Sequence, residues 1–431
     1  MIVLAVAILF IIFIVLILLR VPIALSLVVS SLATGLYLGL PLETLMQRMV
    51  GGLNSFSLLA IPFFILAGEI MNEGGISVRL INLSNVIIGK IRGGLALVNV
   101  LTSTFFGGIS GSSVADSSSI GSVMIPMMKK KGYDTDYSVA VTVSGAGQGV
   151  IIPPSHNMII YAMAAGGGVS IGGLFIGGII PGVLLGIAVM IAAYIIAVKR
   201  NYPKGEPVKR EDIPKILRDG LLGLLTPIII IGGIVTGIFT ATESAAVATV
   251  YAFIITFFVY RDIPLSHMKV ILMKSIKTLS MVLFLIAASS PFGWLLAFLD
   301  VPAMITNLLV NISDNKIIVF LLINLILLLL GCIMDMAPLI LITTPILLPV
   351  VTDFGMDPVQ FGVMLILNLA IGLVTPPVGS SLFVGSAIGG IPIEKATKAL
   401  MPFYAAMIIV LLLVTFIPEL VMFLPKITGT L

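Results

Sequence analysis

The chain has 431 residues, 59% hydrophobic and only 10% charged, with a mean hydropathy of +1.23. Soluble domains carry about 25% charged residues, so this composition excludes an ordinary soluble globule and indicates an all-α polytopic membrane protein in a lipid bilayer. The net charge of +4 comes from Lys and Arg placed between apolar runs, which points to membrane orientation and away from a nucleic-acid partner.

A crossing needs about 20 apolar residues. The first predicted spans are 1–19, 22–40 and 55–71. The first ends at Arg20 and lacks a basic leader and a small-residue cleavage site, so it reads as a span and not as a signal peptide. Residues 76–92 carry Arg79, Lys90 and Arg92 among Ile, Leu and Val, the pattern of an amphipathic interfacial helix. Two short apolar arms follow, 95–106 and 112–128, around the polar run Gly107–Ser122. Lipid cannot satisfy the backbone of such a run, so it reads as the tip of a re-entrant hairpin lining a site. Residues 136–165 read as one helix broken between Ser144 and Asn157, where Pro153 and Pro154 remove two donors. A span at 173–198 and a charged loop at 199–219 complete the first half. The second half repeats the order: spans 220–239, 242–260 and 278–299, a short segment 301–315, arms 317–330 and 337–350, a broken helix 361–390 and a last span 402–424. Thr240 and Glu243 form a predicted capping box. Trp294 and the tyrosines read as interface anchors.

With the N-terminus outside and sides alternating, 20 of the 23 Lys and Arg fall inside, leaving Arg48, Lys316 and Lys426 outside. The positive-inside rule supports that orientation. Residues 95–167 align without gaps to 318–390, with Gly108 on Gly331, Gly149 on Gly372, and Pro153-Pro154 on Pro376-Pro377. The identities are few, but they fall at tips, turns and breaks. With an odd number of crossings per half, the repeats have inverted topology, and paired interrupted helices point to a midplane binding site. The segments are 1–94 and 220–316 as scaffold and arm, 95–172 and 317–391 as hairpin plus broken helix, 173–219 as span and inter-repeat loop, and 392–431 as the final span. The total is about 11 transmembrane helices plus 2 hairpins.

Helix N-termini at such a site suit an anion such as a carboxylate; unwound carbonyls and hydroxyls suit Na⁺. One corner is Gly107–Ser113 against Gly149–Ser155. The other is Gly331–Asp335 against Gly372–Val378, with Thr375 in the break. Ser110, Ser112, Ser113, Asn157, Asp335 and Ser380 are the substrate-contact candidates, and Gly107 and Gly108 join the ion candidates. Asp116 and Asp335 are intramembrane acids and so functional candidates, although Asp335 also suits a helix cap. His156 and His267 make no metal-ligand pattern, lone Cys332 excludes an intramolecular disulfide, and a GxxxxGK[ST] phosphate loop is absent, which argues against ATP hydrolysis by this chain. The first tip is serine-rich and suits substrate as well as sodium; the second has one acid and suits an ion.

Four motifs carry a family resemblance that spans essentially the whole chain. They are Phe106-Gly-Gly-Ile-Ser-Gly-Ser-Ser-Val-Ala-Asp116, Pro153-Pro154-Ser155, Gly237-Ile-Phe-Thr-Ala-Thr-Glu-Ser-Ala-Ala-Val247 and Gly372-Leu-Val-Thr-Pro-Pro377. The sequence resembles the large membrane subunit of tripartite ATP-independent periplasmic (TRAP) transporters, the DctM-like family. The resemblance implies a Na⁺-driven secondary transporter of the bacterial inner membrane, with an elevator-type fold and no organic cofactor. It implies an organic-acid substrate, such as sialic acid, a C4-dicarboxylate or a sugar acid. A periplasmic substrate-binding protein delivers that substrate, and a separate small four-helix membrane subunit completes the scaffold. Carried over, the family's sodium ligands fall near Gly107, Gly149, Ile152 and Ser155 for one ion. For the other they fall near Gly331, Gly372, Thr375 and Val378. Many members have serine at Gly107, where this chain offers only a backbone carbonyl. Two other readings stand beside this one: a self-sufficient Na⁺-coupled carboxylate carrier of the same architecture, and a membrane-embedded enzyme. For the enzyme, the serines have no basic partner nearby in sequence.

Overall fold

The computed structural model describes residues 2–205, 207–313 and 315–431, and only the backbone of Ser57. Met1 of the first predicted span, Glu206 of the inter-repeat loop and Asp314 of the short segment lie outside the described residues. Among the described residues the regular structure is helical, apart from one isolated bridge between Arg92 and Lys204.

The first half runs α1 (Ile2–Leu18), α2 (Ile23–Tyr37), α3 (Leu42–Gly51), α4 (Ala60–Glu73), α5 (Ile76–Ile88), α6 (Gly94–Ser110), α7 (Ser113–Lys130), α8 (Thr135–Gln148), α9 (His156–Ala164) and α10 (Ile171–Lys199). The second runs α11 (Ile213–Val235), α12 (Ala241–Ile254), α13 (Met268–Phe298), α14 (Val301–Ile312), α15 (Lys316–Gly331), α16 (Met336–Asp353), α17 (Pro358–Gly372), α18 (Ser380–Gly389), α19 (Ile393–Phe416) and α20 (Glu419–Thr428). Among the described residues, six helical stretches are long and apolar enough to cross a membrane unaided, and the remaining apolar helices are shorter.

The halves interlock by exchange. Helix α4 packs on α12, and α2 on α13. Helix α7 packs on α18, and α16 on α9. Helix α8 packs on α19, and α17 on α10. Each partnership recurs with the halves interchanged, as a pseudo-two-fold relation between inverted repeats demands. The centre is built from α8 and α17, whose residues from Tyr137 to Gln148 and from Val359 to Gly372 are all buried. Asn99 donates to Thr142 at 2.7 Å, and Asn368 donates to Asn324 at 2.9 Å, so polar bonds tie α6 to α8 and α15 to α17.

Several expectations shift. The polar run 107–122 is not an open loop. Gly111 closes α6 at φ 59°, Ser112 caps α7 by accepting from the Ala115 amide at 3.4 Å, and the tip is only two residues long. Serines inside helices are accommodated by bonding back to the preceding turn, as Ser122 does to the Ser119 carbonyl at 2.9 Å. The first break is also narrower than predicted, 149–155, and the second runs over 373–379. Helix α3 was unexpected; Leu45 is its buried residue and packs over Gly35. The last predicted span divides into α19 and α20 at Pro418, and Ser170 donates to the Thr430 carbonyl at 2.5 Å to hold the end against α10. Helix α5 buries its apolar face on α6 and α11, and Arg79 pairs with Asp262 at 2.7 Å. The predicted capping box is present, with the Thr240 amide donating to Glu243 at 2.8 Å.

The tyrosines are not all interface anchors. Tyr137 and Tyr161 are fully buried because their hydroxyls reach the carbonyls of Ala193, at 2.7 Å, and Pro358, at 2.6 Å. Tyr202 leans on Tyr133 and Tyr137 and donates to Asp134 at 2.7 Å, while Arg200 reaches Asp134 at 2.9 Å. These contacts clamp the inter-repeat loop to the α7–α8 turn. Burial pushes the Tyr202 phenol up to about 12, and the Tyr202 hydroxyl, aided by Arg200, holds the Asp134 carboxyl below its ordinary value. A depressed carboxyl contributes stability above its unfolded pKa, near 3.9, and loses it as pH falls through the folded value. Asp134→Asn is therefore expected to melt below the wild type at pH 7, with the difference closing as pH falls below about 4; melting both across pH 3–8 checks this.

Candidate functional site

The first corner forms where α6 runs against the break after α8. Gly107 and Gly149 touch backbone to backbone, since a Cβ on Gly107 would run into the Gly149 Cα. Gly108 and Gly111 back onto the Pro153 and Pro154 carbonyls, which a Cβ on each glycine would meet at 3.3 and 3.2 Å. The Ile152 amide donates to the Gln148 carbonyl at 3.2 Å. Ser155 stands at the N-terminus of α9 with its hydroxyl buried and without a hydrogen-bond partner among the described residues.

The second corner repeats this. A Cβ on Gly372 would lie 2.6 Å from the Gly331 carbonyl carbon. The Val378 amide donates to the Cys332 carbonyl at 3.0 Å, tying break to tip, and the Thr375 hydroxyl donates to the Ile371 carbonyl at 2.6 Å. Both Pro-Pro bonds in the breaks are cis. The contacts match Gly107 with Gly331, where the gap-free alignment matched Gly108. The reason is that α6 continues through Ser110 past its corner glycine, whereas α15 stops at Gly331.

The corners meet at a crossing where the Ser113 and Ser381 hydroxyls are 2.8 Å apart, both buried, at the starts of α7 and α18. Beside it lies a crevice of about 610 Å³. Ser110, Ser112, Ser113, Asn157 and Asp335 all line it, so five of the six substrate candidates are gathered. Ser380 does not line it; its hydroxyl is buried and Ser381 makes the crossing bond. Asp335 occupies the N-cap position of α16 but makes no side-chain capping bond, and its carboxyl is left to the crevice.

Of two further acids at the site, Asp116 was among the predicted intramembrane candidates and Glu69 was not. Asp116 is fully buried; Ser110 donates to its Oδ1, while Oδ2 has no hydrogen-bond partner among the described residues and faces Gly149, where a Cβ would collide with it. Its signal was present as the single acid of the serine run, but spacing could not place it in the first corner. Glu69 of α4 also lines the crevice; a carboxylate within the predicted span 55–71 was the clue. The corner groups backbone carbonyls at a helix break with a hydroxyl and a carboxylate oxygen that lack partners among the described residues, groups of the kind that coordinate a desolvated Na⁺. Asn157 and the serines at the starts of α7 and α9 offer donors to an anion.

The profile of the tripartite ATP-independent periplasmic transporter family, DctM component, matches residues 10–420. The chain belongs to this family. As a TRAP large permease it is a multi-pass membrane transport protein, not an enzyme. It is 43% identical to YgiK of Salmonella typhimurium over 94% of this chain and 93% of that protein. It is 40% identical to SiaM, the sialic acid TRAP transporter large permease of Vibrio cholerae, over 88% of each. The crystal structure of the Alcanivorax borkumensis YdaH transporter shares its fold at a TM-score of 0.64, with 13% identity over 87% of this chain and 88% of that one. TRAP large subunits work with a small membrane subunit and a periplasmic binding protein.

Proposed function

We propose that this permease imports an organic acid, driven by a Na⁺ gradient, with the hairpins and broken helices moving as one body against the scaffold. The observation that carries the reading is the pair of matched glycine corners, Gly107 on Gly149 and Gly331 on Gly372, flanking one crevice onto which Ser110, Ser112, Ser113, Asn157 and Asp335 open. Cations at the two corners would offset the charge of a carboxylate held between them, so that neither moves without the other. The crevice holds a carboxylate through hydroxyl, amide and helix N-terminal donors. SiaM carries sialic acid in its name, and an acid of that class is the substrate we assign. The partners are a small four-helix membrane subunit and a periplasmic binding protein, and the complex sits in the inner membrane with the N-terminus outside.

The test is uptake by the three components in proteoliposomes under an imposed Na⁺ gradient, across sialic, dicarboxylic, keto and sugar acids. Accumulation that collapses with the gradient is expected. Equal uptake by this chain alone would replace the reading with a self-sufficient carrier. Thr375→Ala, which removes the hydroxyl at the second break, is expected to lower sodium-dependent uptake about tenfold, the scale of one lost polar contact of about 1.4 kcal/mol. Asp335→Ala is expected to do likewise, with membrane insertion intact in both. Unchanged sodium dependence in both variants would remove the second ion corner.

A further inference from the structure

Helix α13 lines two crevices in succession. Residues Thr278 to Leu285 face the one already described, and Ile286 to Trp294 face another of about 830 Å³. The centres of the two stretches are about eight residues apart, or about 13 Å at 1.5 Å per residue. Helix α16 is shared in the same way, with Asp335 to Pro338 in the first crevice and Leu341 and Pro345 in the second. The second crevice is bordered on one side by α3 and on the other by Met163 and Ala164 at the end of α9 and by Gly166 just beyond it. Its size falls within the range of about 300–1,000 Å³ usual for small-molecule sites.

The two crevices differ in charge. Glu69 and Asp335 are carboxyl groups in the first. Among the described residues lining the second, Arg48 is the one charged side chain, and Thr44, Gln47, Ser289 and Ser290 are polar. The Arg48 guanidinium carbon lies 5.1 Å from the centroid of the Trp294 ring. Stacking occupies the face of a guanidinium and leaves its N–H edge for a bidentate carboxylate. No ion pair joins Arg48 to an acid among the described residues; the neighbouring Glu43 accepts instead from the Gln47 amide at 3.1 Å. A positive, partly apolar cleft has thus been built where a small anion fits and where no carboxylate among the described residues fills it.

We propose that this crevice is a second organic-anion site, in which Arg48 on its Trp294 platform receives a carboxylate before the glycine-corner site takes it over. The proposal rests on the transport reading above for the order of events, but not for the binding itself. The positive charge of Arg48 attracts the acid to this crevice, one step along α13 from the crevice of the glycine corners.

Trp294 is the only tryptophan in the chain and is part of the site, so it reports binding. The complex in nanodiscs, without Na⁺, is titrated with N-acetylneuraminate, succinate and gluconate, with N-acetylmannosamine and matched chloride as controls. The signal is the fluorescence difference from the same complex carrying Trp294→Phe. A saturable change with at least one acid is expected, absent with the neutral sugar and with chloride. Arg48→Gln is expected to weaken the apparent Kd at least tenfold, the loss of about 1.4 kcal/mol or more. Arg48→Lys, which keeps the charge but not the planar fork, is expected to fall between. No response to any of the acids, a response equal to that of chloride, or an undiminished one in Arg48→Gln would overturn the proposal. A Thr375→Ala complex that fails to transport yet keeps the response supports the site independently of the transport reading. A complex that transports normally with no Arg48-dependent response removes the site and leaves that reading standing.

Discussion

Gly372→Ala is expected to abolish sodium-dependent uptake, by roughly 100-fold or more, the effect of about 2.7 kcal/mol on the bound ion or on the moving step. A methyl group there would sit 2.6 Å from the Gly331 carbonyl carbon and 2.7 Å from its Cα and oxygen. These are backbone atoms, so no side chain can swing aside. The α17 end and the α15 end must separate, and the carbonyls that α15 and the following break present to an ion move with them. Overpacking of this kind costs about 1–3 kcal/mol where the backbone yields. A melting curve distinguishes loss of the corner from loss of the fold: a fall of a few degrees with full loss of uptake locates the effect at the site. Gly168→Ala is the matched control, since a Cβ there meets nothing within 4 Å. It should transport at the wild-type rate. Wild-type uptake by Gly372→Ala would show that close backbone approach is not what the second corner needs.

The corners were legible in the sequence because Gly and Pro are the strongest local signals a membrane helix can carry, and here they recur at one spacing. Register was not fully legible. Matching Gly108 to Gly331 assumed equal arms, whereas α6 runs three residues beyond its corner glycine. That excess depends on Gly111 taking a left-handed φ and on Ser112 capping α7, which is local geometry invisible to a gap-free alignment. Helices α3 and α20 were missed for another reason. Each is 10 residues long, too short to announce a span, and each is held by contacts made far away in sequence. Leu45 lies over Gly35, and α20 packs on α10. The exchange of partners between halves also has no local signature. It emerges only when α4 meets α12 and α2 meets α13. Five of the six substrate candidates come together at one crevice because they sit at the hairpin tips and helix break that the repeat aligns. Ser380 was displaced by one position: which face of α18 meets α7 decides that Ser381 makes the bond.

Asp116→Asn is expected to lower sodium-dependent uptake by roughly 100-fold at low Na⁺, with partial recovery as Na⁺ is raised, the behaviour of an ion site weakened by about 2.7 kcal/mol. Asp116 lies in the first turn of α7, where the helix dipole favours a negative charge, and Ser110 donates to its Oδ1. Those two features account for one oxygen. The other is buried against Gly149 with no hydrogen-bond partner among the described residues. Removing a partner from a buried charge typically costs about 3–5 kcal/mol, so a carboxyl that stays ionised here needs a cation close by. Gly149 and Gly107 are the residues at which that cation would bind. Asparagine keeps the size and a carbonyl oxygen for Ser110 but removes the charge, so folding should survive while the ion is lost. Thermal melting separates this from a structural role. At a hundredfold excess over Kd, Na⁺ should stabilise the wild-type complex by about 2.7 kcal/mol at one site, and the Asp116→Asn complex should lose much of that increment. A variant with the same sodium midpoint and the same sodium-dependent shift in Tm would make Asp116 a capping acid and leave the first corner to backbone carbonyls and Ser155.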